Sequence, residues 1–240
     1  MDGRAGPAYK KEEPVSDPKT TAHTTSESYR PDPATETAMT IDAFFNALVE
    51  ARPDEGELAD RLRRRHEELL DDQQHRVIDE ASGYNLSLTL AVLAAYQELG
   101  DRQEDDELVP LLTRAFVEPM QPFVYAATRA ALDGAADPFA TMVGVSKDRE
   151  RDAFGVGFGF SHPDDDRDRY TAEVTRCYYR DVLSANGAGQ LTPIFCAFDS
   201  NWINAIEAER DGLEFERPTT IGTGGTSCPF RFRRRGRTGR

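Results

Sequence analysis

Apolar residues are spread unevenly along the 240 residues, and their spacing changes character near residue 150. Residues 1–38 carry Pro, Ser, Thr, Lys and Glu with almost no branched apolar side chain, too little to offset the entropy of ordering a chain. They are expected to form a disordered tail. From Thr40, the run Thr-Ile-Asp-Ala-Phe-Phe-Asn-Ala-Leu-Val reads as an amphipathic helix, with Thr40 or Asp42 able to accept from its open backbone donors. Beyond Glu57, the residues Leu58, Leu62, Leu69, Val77 and Ile78 recur among charges at roughly helical spacing. They predict a long surface helix with one buried stripe, interrupted at Gly83. Residues 86–99 are almost continuously apolar and must form a buried helix. A third helical stretch, 107–132, has Pro119 and Pro122 in its middle, where it should break, and Asp133-Gly134 at its end.

After a charged loop the period shortens. Phe154-Gly-Val-Gly-Phe-Gly-Phe alternates large and small residues, as a strand with one packed face does. Residues 170–177 alternate again, which places Cys177 on one face with Glu173 and Thr175. A short helix over 178–186 should stop at Gly187, and a second should run over 192–208. Strands are expected at 213–217 and 228–233, with Gly222-Thr-Gly-Gly as the turn between them. Helices first and antiparallel strands later make the fold class α+β, an N-terminal helical layer packed on a C-terminal antiparallel sheet. The expected organisation is a single domain over 39–233 between the tail at 1–38 and a basic disordered tail at 234–240.

Composition narrows the function classes. A hydrophobic share of 38% with a mean hydropathy of −0.62 suits one domain with a solvated tail better than two domains. The net charge of −14 repels phosphate backbones and argues against a nucleic-acid partner. Six arginines in the last ten residues read as a frayed basic end. No signal-peptide pattern opens the sequence and no apolar run is long enough for a bilayer, so no membrane association and a cytoplasmic location are expected. The three cysteines, Cys177, Cys196 and Cys228, are odd in number and match no zinc or redox spacing. His66 and His75, nine apart, are not the paired ligands of a helical zinc site. No metal and no cofactor is called for; the expected partner is a small-molecule substrate.

Cys196 and Asp199, three apart on a helix, share part of one face. Either the thiol is a nucleophile and Asp199 shuttles a proton or grips a cationic substrate, or Phe195, Cys196 and Phe198 are core. Read alone, the second carries more weight, because buried free cysteines behave as small hydrophobes. His162, in a turn crowded with carboxylates, reads as an exposed loop residue. Gly222-Thr-Gly-Gly-Thr has the composition of a phosphate cradle but lacks the Gly-Lys-Ser/Thr ending and precedes a strand.

Taken together, Thr-Arg-Cys177-Tyr-Tyr, Leu-Thr-Pro-Ile-Phe-Cys196-Ala-Phe-Asp199, and the ending Phe-Glu-Arg217-Pro-Thr-Thr220-Ile-Gly-Thr-Gly224-Gly-Thr-Ser-Cys228-Pro-Phe-Arg-Phe232 resemble the L-2-amino-thiazoline-4-carboxylic acid hydrolase family. The likeness is strongest over residues 170–233. More distantly, the Gly-x-x-x-Cys-x-Phe-x-Phe ending is similar to small-ligand-binding domains of the vinyl-reductase type. The family resemblance implies a bacterial enzyme of small-molecule metabolism that hydrolyses a cyclic amidine of a thiazoline amino acid, acting on a C–N bond, in an amino-acid or natural-product pathway. It also implies Cys177, Cys196, Asp199, Arg217, Thr220, Gly224 and Cys228 as the positions that match the family's pattern. On that basis Cys196 or Cys177 attacks the amidine carbon, Asp199 handles the proton and Arg217 pairs with a substrate carboxylate. Thr220, Gly224 and Cys228 line the site, and the amides of residues 222–225 supply donors to the intermediate. In an alternative, Glu173 and Asp199 activate water directly. Two other classes fit the same residues: a cyclase or isomerase, and a non-catalytic binding domain with Phe154, Phe158, Phe160, Tyr178, Tyr179 and Trp202 around an apolar pocket.

Overall fold

The computed structural model describes residues 32–100 and 105–236; the tail expectations for 1–31 and 237–240 lie outside them. Six long helices come first: α1 (Pro33–Ala51), α2 (Leu58–Gln73), α3 (Glu80–Gly100), α4 (Asp105–Val117), α5 (Gln121–Asp133) and α6 (Pro138–Arg149). The strands β1 (Gly159–Ser161) and β2 (Arg169–Arg176) follow, then the shorter helices α7 (Tyr178–Ala185), α8 (Thr192–Phe198), α9 (Ser200–Ile203) and α10 (Ala208–Asp211). The strands β3 (Leu213–Glu216) and β4 (Cys228–Arg234) close the fold. The four strands form one antiparallel sheet in the order β1-β2-β4-β3. The architecture is α+β, with the helices preceding the sheet.

The centre is α3. Leu90, Ala91, Val92, Leu93, Ala94 and Ala95 are fully buried because α1, α2, α4 and α7 pack around this helix. That is why its apolar residues run continuously instead of forming a stripe. The core reaches the sheet through Val174 and Cys228. A second cluster joins Leu132, Phe139 and Met142 of α5 and α6 to Tyr170, Ala172, Leu213 and Phe232. Along β2 and β4 the pairs Tyr170/Phe232, Ala172/Phe230 and Val174/Cys228 therefore share the face turned toward the helices.

Several boundaries differ from the expected ones for identifiable reasons. α1 starts at Pro33, seven residues before Thr40, because the Asp32 side chain accepts from the Thr35 amide and proline occupies the first turn. Residues 33–38 are therefore helical, and at the other end β4 continues through Arg234, which pairs with Asp137. α2 stops at Gln73, leaving Val77 and Ile78 exposed outside any helix. The chain restarts helically not after Gly83 but before it. Asp79 accepts from the Ser82 amide at 2.7 Å and the Ser82 hydroxyl accepts from the Asp79 amide at 2.9 Å, a reciprocal cap that starts α3. The charged loop expected before Phe154 is α6, capped by Asp137 with Pro138 behind it. Residues 150–157 continue it in wide and tight turns, so only Gly159–Ser161 of the alternating run pairs as strand. The break between α4 and α5 falls at Glu118–Met120, as the prolines predict.

Candidate active site

The connection from β3 to β4 is not a tight hairpin. It leaves the sheet at Arg217, crosses over α8, makes a 3-10 turn at Ile221–Thr223 and returns at Cys228. This path brings two cysteines against adjacent residues. The Ile221 amide donates to Cys228 Sγ at 3.0 Å, and Gly222 lies against Cys196, where an added Cβ would stand 2.7 Å from Sγ. Cys177 lies three residues beyond Val174, the register partner of Cys228, and begins α7. All three thiols are free.

Because the chain turns into α7 at Cys177, the strand alternation does not carry through it. Cys177 packs against the main core with the helical layer, whereas Glu173 stays on the opposite face of the sheet and accepts from the hydroxyls of Ser227 (2.7 Å) and Ser161 (3.3 Å). The expected common face of Cys177 and Glu173 is not formed, and Glu173 is not gathered with the thiols.

Arg217 holds the site's acid. One guanidinium nitrogen donates to Asp199 Oδ2, another to the Cys196 carbonyl at 2.9 Å, and the cation lies 5.2 Å from the centre of the Phe230 ring. Trp202 Nε1 donates to Asp199 Oδ1 at 3.2 Å. Asp199 sits at the joint between α8 and α9, three residues after Cys196 and three before Trp202, so each is about one helical turn from it. Burial pushes the Asp199 carboxyl above the usual carboxylate range, against the downward pull of Arg217 and Trp202. Yet the Asp199 side chain keeps 26% of its surface accessible and Arg217 keeps 15%. The pair is therefore part-buried and still reachable from solvent.

The thiols differ. Burial drives Cys177 up to about 12, with the charges of Cys196 and Cys228 acting in the same direction and the first amides of α7 against it. Cys228 is also pushed up by burial, and its sulfur already accepts a backbone proton. At a value near 12 only about one thiol in 10⁵ is ionised at neutral pH, so Cys177 rests as the thiol.

An aromatic cluster packs beside α8 and carries one polar contact. Tyr179 stacks on Phe195 with ring centres 4.4 Å apart, meets Phe158 edge-on at 5.1 Å, and donates its hydroxyl proton to Asn85 Oδ1 at 2.8 Å. Sequence reasoning included Tyr179 in an aromatic cluster but passed over Asn85. The signal was an amide on the buried side of an apolar helix, a position that demands partners. Phe154 and Phe158 do meet, at 4.9 Å, but Trp202 belongs to a separate group with Phe215, Phe230 and Phe232.

Thr220 and Gly224 shape the turn. The Thr220 hydroxyl caps it, accepting from the Thr223 amide at 3.2 Å, and Gly224 ends it at φ +95°, a conformation that other L-residues adopt only with strain. The amides of Thr223, Gly224 and Gly225 bond back to Thr220 and Ile221 within the turn, so they do not point at the site as a donor cradle. Replacing Gly222 with alanine tests the close approach. The new methyl would meet Cys196 Sγ at 2.7 Å and the α8 backbone at 3.2 Å. We expect a loss of roughly 1–3 kcal/mol in denaturant unfolding, together with a fall in activity as α8 is displaced.

Other polar groups lie elsewhere. A surface cleft of about 500 Å³, lined by Lys147, Glu150, Phe158, Phe160, His162 and Asp165 among others, contains none of the thiols. His162 pairs with Glu150 at 2.8 Å on its rim. Among the described residues no cluster of three His, Cys, Asp or Glu side chains is placed to hold a metal ion, and no helix is long and apolar enough to cross a membrane.

The thiols, Asp199, Arg217 and the capped glycine turn thus come from the start of α7, from α8 and its joint with α9, and from the β3–β4 connection, the segments that carried the resemblance. A family model described as L-2-amino-thiazoline-4-carboxylic acid hydrolase matches residues 84–232, which reaches back from the site through α3. No curated protein and no solved structure matches the chain. Since the match spans more than half of the sequence and every site residue named above, the chain belongs to the L-2-amino-thiazoline-4-carboxylic acid hydrolase family.

Proposed function

We propose that this protein hydrolyses a small cyclic amidine of the 2-amino-thiazoline type, with Cys196 as the nucleophile. The observation that supports the reading best is the Asp199–Arg217 pair, which follows Cys196 by one helical turn, holds its carbonyl, and leaves the Asp199 side chain 26% exposed. Burial holds Cys177 and Cys228 as thiols, and the cysteine on the same helical segment as Asp199 is Cys196. Its proton passes to Asp199 as the sulfur adds to the amidine carbon and the C=N electron pair moves to nitrogen. The ring sulfur then leaves with a proton from Asp199, giving an S-linked isothiourea. Water adds to the same carbon, Cys196 departs, and an N-carbamoyl cysteine remains. Departure of the ring nitrogen instead would break the C–N bond and give the S-carbamoyl isomer. Arg217 commits two of its five N–H donors to Asp199 and the Cys196 carbonyl, and the others are available to a substrate carboxylate.

The test is incubation with 2-amino-thiazoline-4-carboxylate. Gain of one water in mass supports hydrolysis, and a free thiol in the product identifies C–S over C–N rupture. A new product of unchanged mass would mean an isomerase, and no turnover would return the chain to the ligand-binding class. The chemistry suits a cytoplasmic amino-acid or natural-product pathway with reduced thiols.

Asp199 must be ionised to accept the thiol proton, so activity falls as pH drops through its raised value. The acid limb of the pH–rate profile is therefore expected above the ordinary carboxylate range near 3.9. Arg217→Gln removes the nearby cation, raises Asp199 further and should move that limb to higher pH. An unmoved limb would assign it to another group.

A further inference from the structure

Asp199 is held at its two oxygens by groups of different kinds. Oδ2 accepts from the Arg217 guanidinium, and Oδ1 accepts from Trp202 Nε1 at 3.2 Å. The last torsion of an aspartate is soft, so one partner would leave the carboxylate free to pivot. A second donor on the other oxygen fixes its plane. The indole has little freedom of its own. It stacks on Phe232 and Phe230, with ring centres 6.1 and 6.3 Å away and planes 18° and 20° apart, and meets Phe215 edge-on at 4.8 Å. The side chains of β3 and β4 therefore set the direction of its N–H. Phe230 also carries the Arg217 cation, 5.2 Å from its centre. The contacts close on themselves, from Asp199 to Trp202, to Phe230, to Arg217 and back to Asp199.

We propose that Trp202 is a positioning residue that orients the Asp199 carboxylate for proton transfer, through its indole N–H and not through its bulk. This rests on the amidine reading above, in which Asp199 takes the Cys196 proton and returns it to the leaving group, and it adds a residue to that reading. An indole N–H and a guanidinium only donate, so neither partner can take up the proton that Asp199 carries. Burial raises the Asp199 carboxyl, while Arg217, the Trp202 bond and Arg149 at the end of α6 pull it down. Tyr179 and Cys228, whose titration feels Asp199, are kept neutral by burial. Loss of the indole N–H removes a donor to the ionised form and leaves these charges as they are, so the carboxyl rises further.

Trp202 is the single tryptophan of the chain, so tryptophan can be exchanged for its sulfur isostere, benzothienylalanine, at this position alone. The isostere keeps the bicyclic ring and its stacks but lacks the donor; Trp202→Phe removes donor and bulk together. Circular dichroism and the melting temperature check that each variant retains the fold. On 2-amino-thiazoline-4-carboxylate the isostere is expected to lower kcat about tenfold with KM changed less, and to move the acid limb of the pH–rate profile to higher pH. Wild-type kcat and an unmoved limb in the isostere would leave Trp202 to packing and overturn the inference, while the amidine reading stands. A second measurement needs no substrate. Emission of the lone tryptophan, excited where tyrosine does not absorb, should follow the ionisation of Asp199 and lose that transition in Asp199→Asn. Emission indifferent to Asp199 overturns the inference alone; a wild type that does not turn over the amino compound ends the amidine reading and the inference with it.

Discussion

Cys196→Ser is expected to lower kcat on 2-amino-thiazoline-4-carboxylate by at least about 10³-fold while leaving the fold intact. A serine hydroxyl is a far weaker nucleophile, and Asp199 already shares its charge with Arg217, so it is too weak a base to ionise an alcohol. Serine is smaller at the sulfur position, so the Gly222 contact loosens and the melting temperature should scarcely move. Cys177→Ser and Cys228→Ser should retain activity within about an order of magnitude, because burial holds both as thiols and one already accepts the Ile221 amide. Steady-state kinetics on the three variants decide the matter. Full activity in Cys196→Ser would remove the covalent route and leave water activated by Asp199.

The largest stability effect is expected far from the site, at Asp211. Its side chain is 3% exposed and grips Arg129 through two bonds of 2.7 and 2.9 Å; Arg129, 11% exposed, also donates to the Ala205 carbonyl and to Asp133. The pair ties α5 to the turn that launches β3. Asp211→Ala removes the buried counter-charge of Arg129 and leaves it only Asp133, whose side chain is 44% exposed, which costs roughly 3 kcal/mol, or about 10 °C in melting temperature for a domain of this size. The bonds to Arg129 hold Asp211 below the usual carboxylate range, against burial. Its contribution is therefore complete above the unfolded-state value near 3.9 and is lost as pH falls through the lower folded value. The difference in melting temperature between wild type and Asp211→Ala should shrink on acidification; a difference independent of pH would place the cost in packing.

Where burial is continuous, the sequence was easy to read. The apolar run of α3, the proline break between α4 and α5, the alternation of β2 and the aromatic ending of β4 all appear where the pattern places them. Helix starts were harder. α1 and α6 both open on Asp-Pro, a side-chain cap followed by a residue with its φ preset for the first turn, a signal that apolar spacing does not contain. The alternation of Phe154 to Phe160 arose from successive turns whose aromatic residues meet the same core, a periodicity that strand pairing shares. In the site, the residue types around Cys196 and Asp199 were legible, but partners were not. That Arg217 reaches both Asp199 and the Cys196 carbonyl depends on the path of the β3–β4 connection. The failed pairing of Glu173 with Cys177 has a similar origin: the chain turns into α7 one residue after the strand ends, and alternation predicts facing only while the strand lasts.

The sheet is bounded by two very short strands. β1 is three residues long with an irregular register against β2, and β3 is four residues long and carries Glu214 and Glu216. Unsatisfied backbone groups along a rim are templates for polymerisation, and brevity, irregularity and acidity are three ways of blunting them. Even at high concentration, this chain should therefore resist edge-to-edge growth into fibrils.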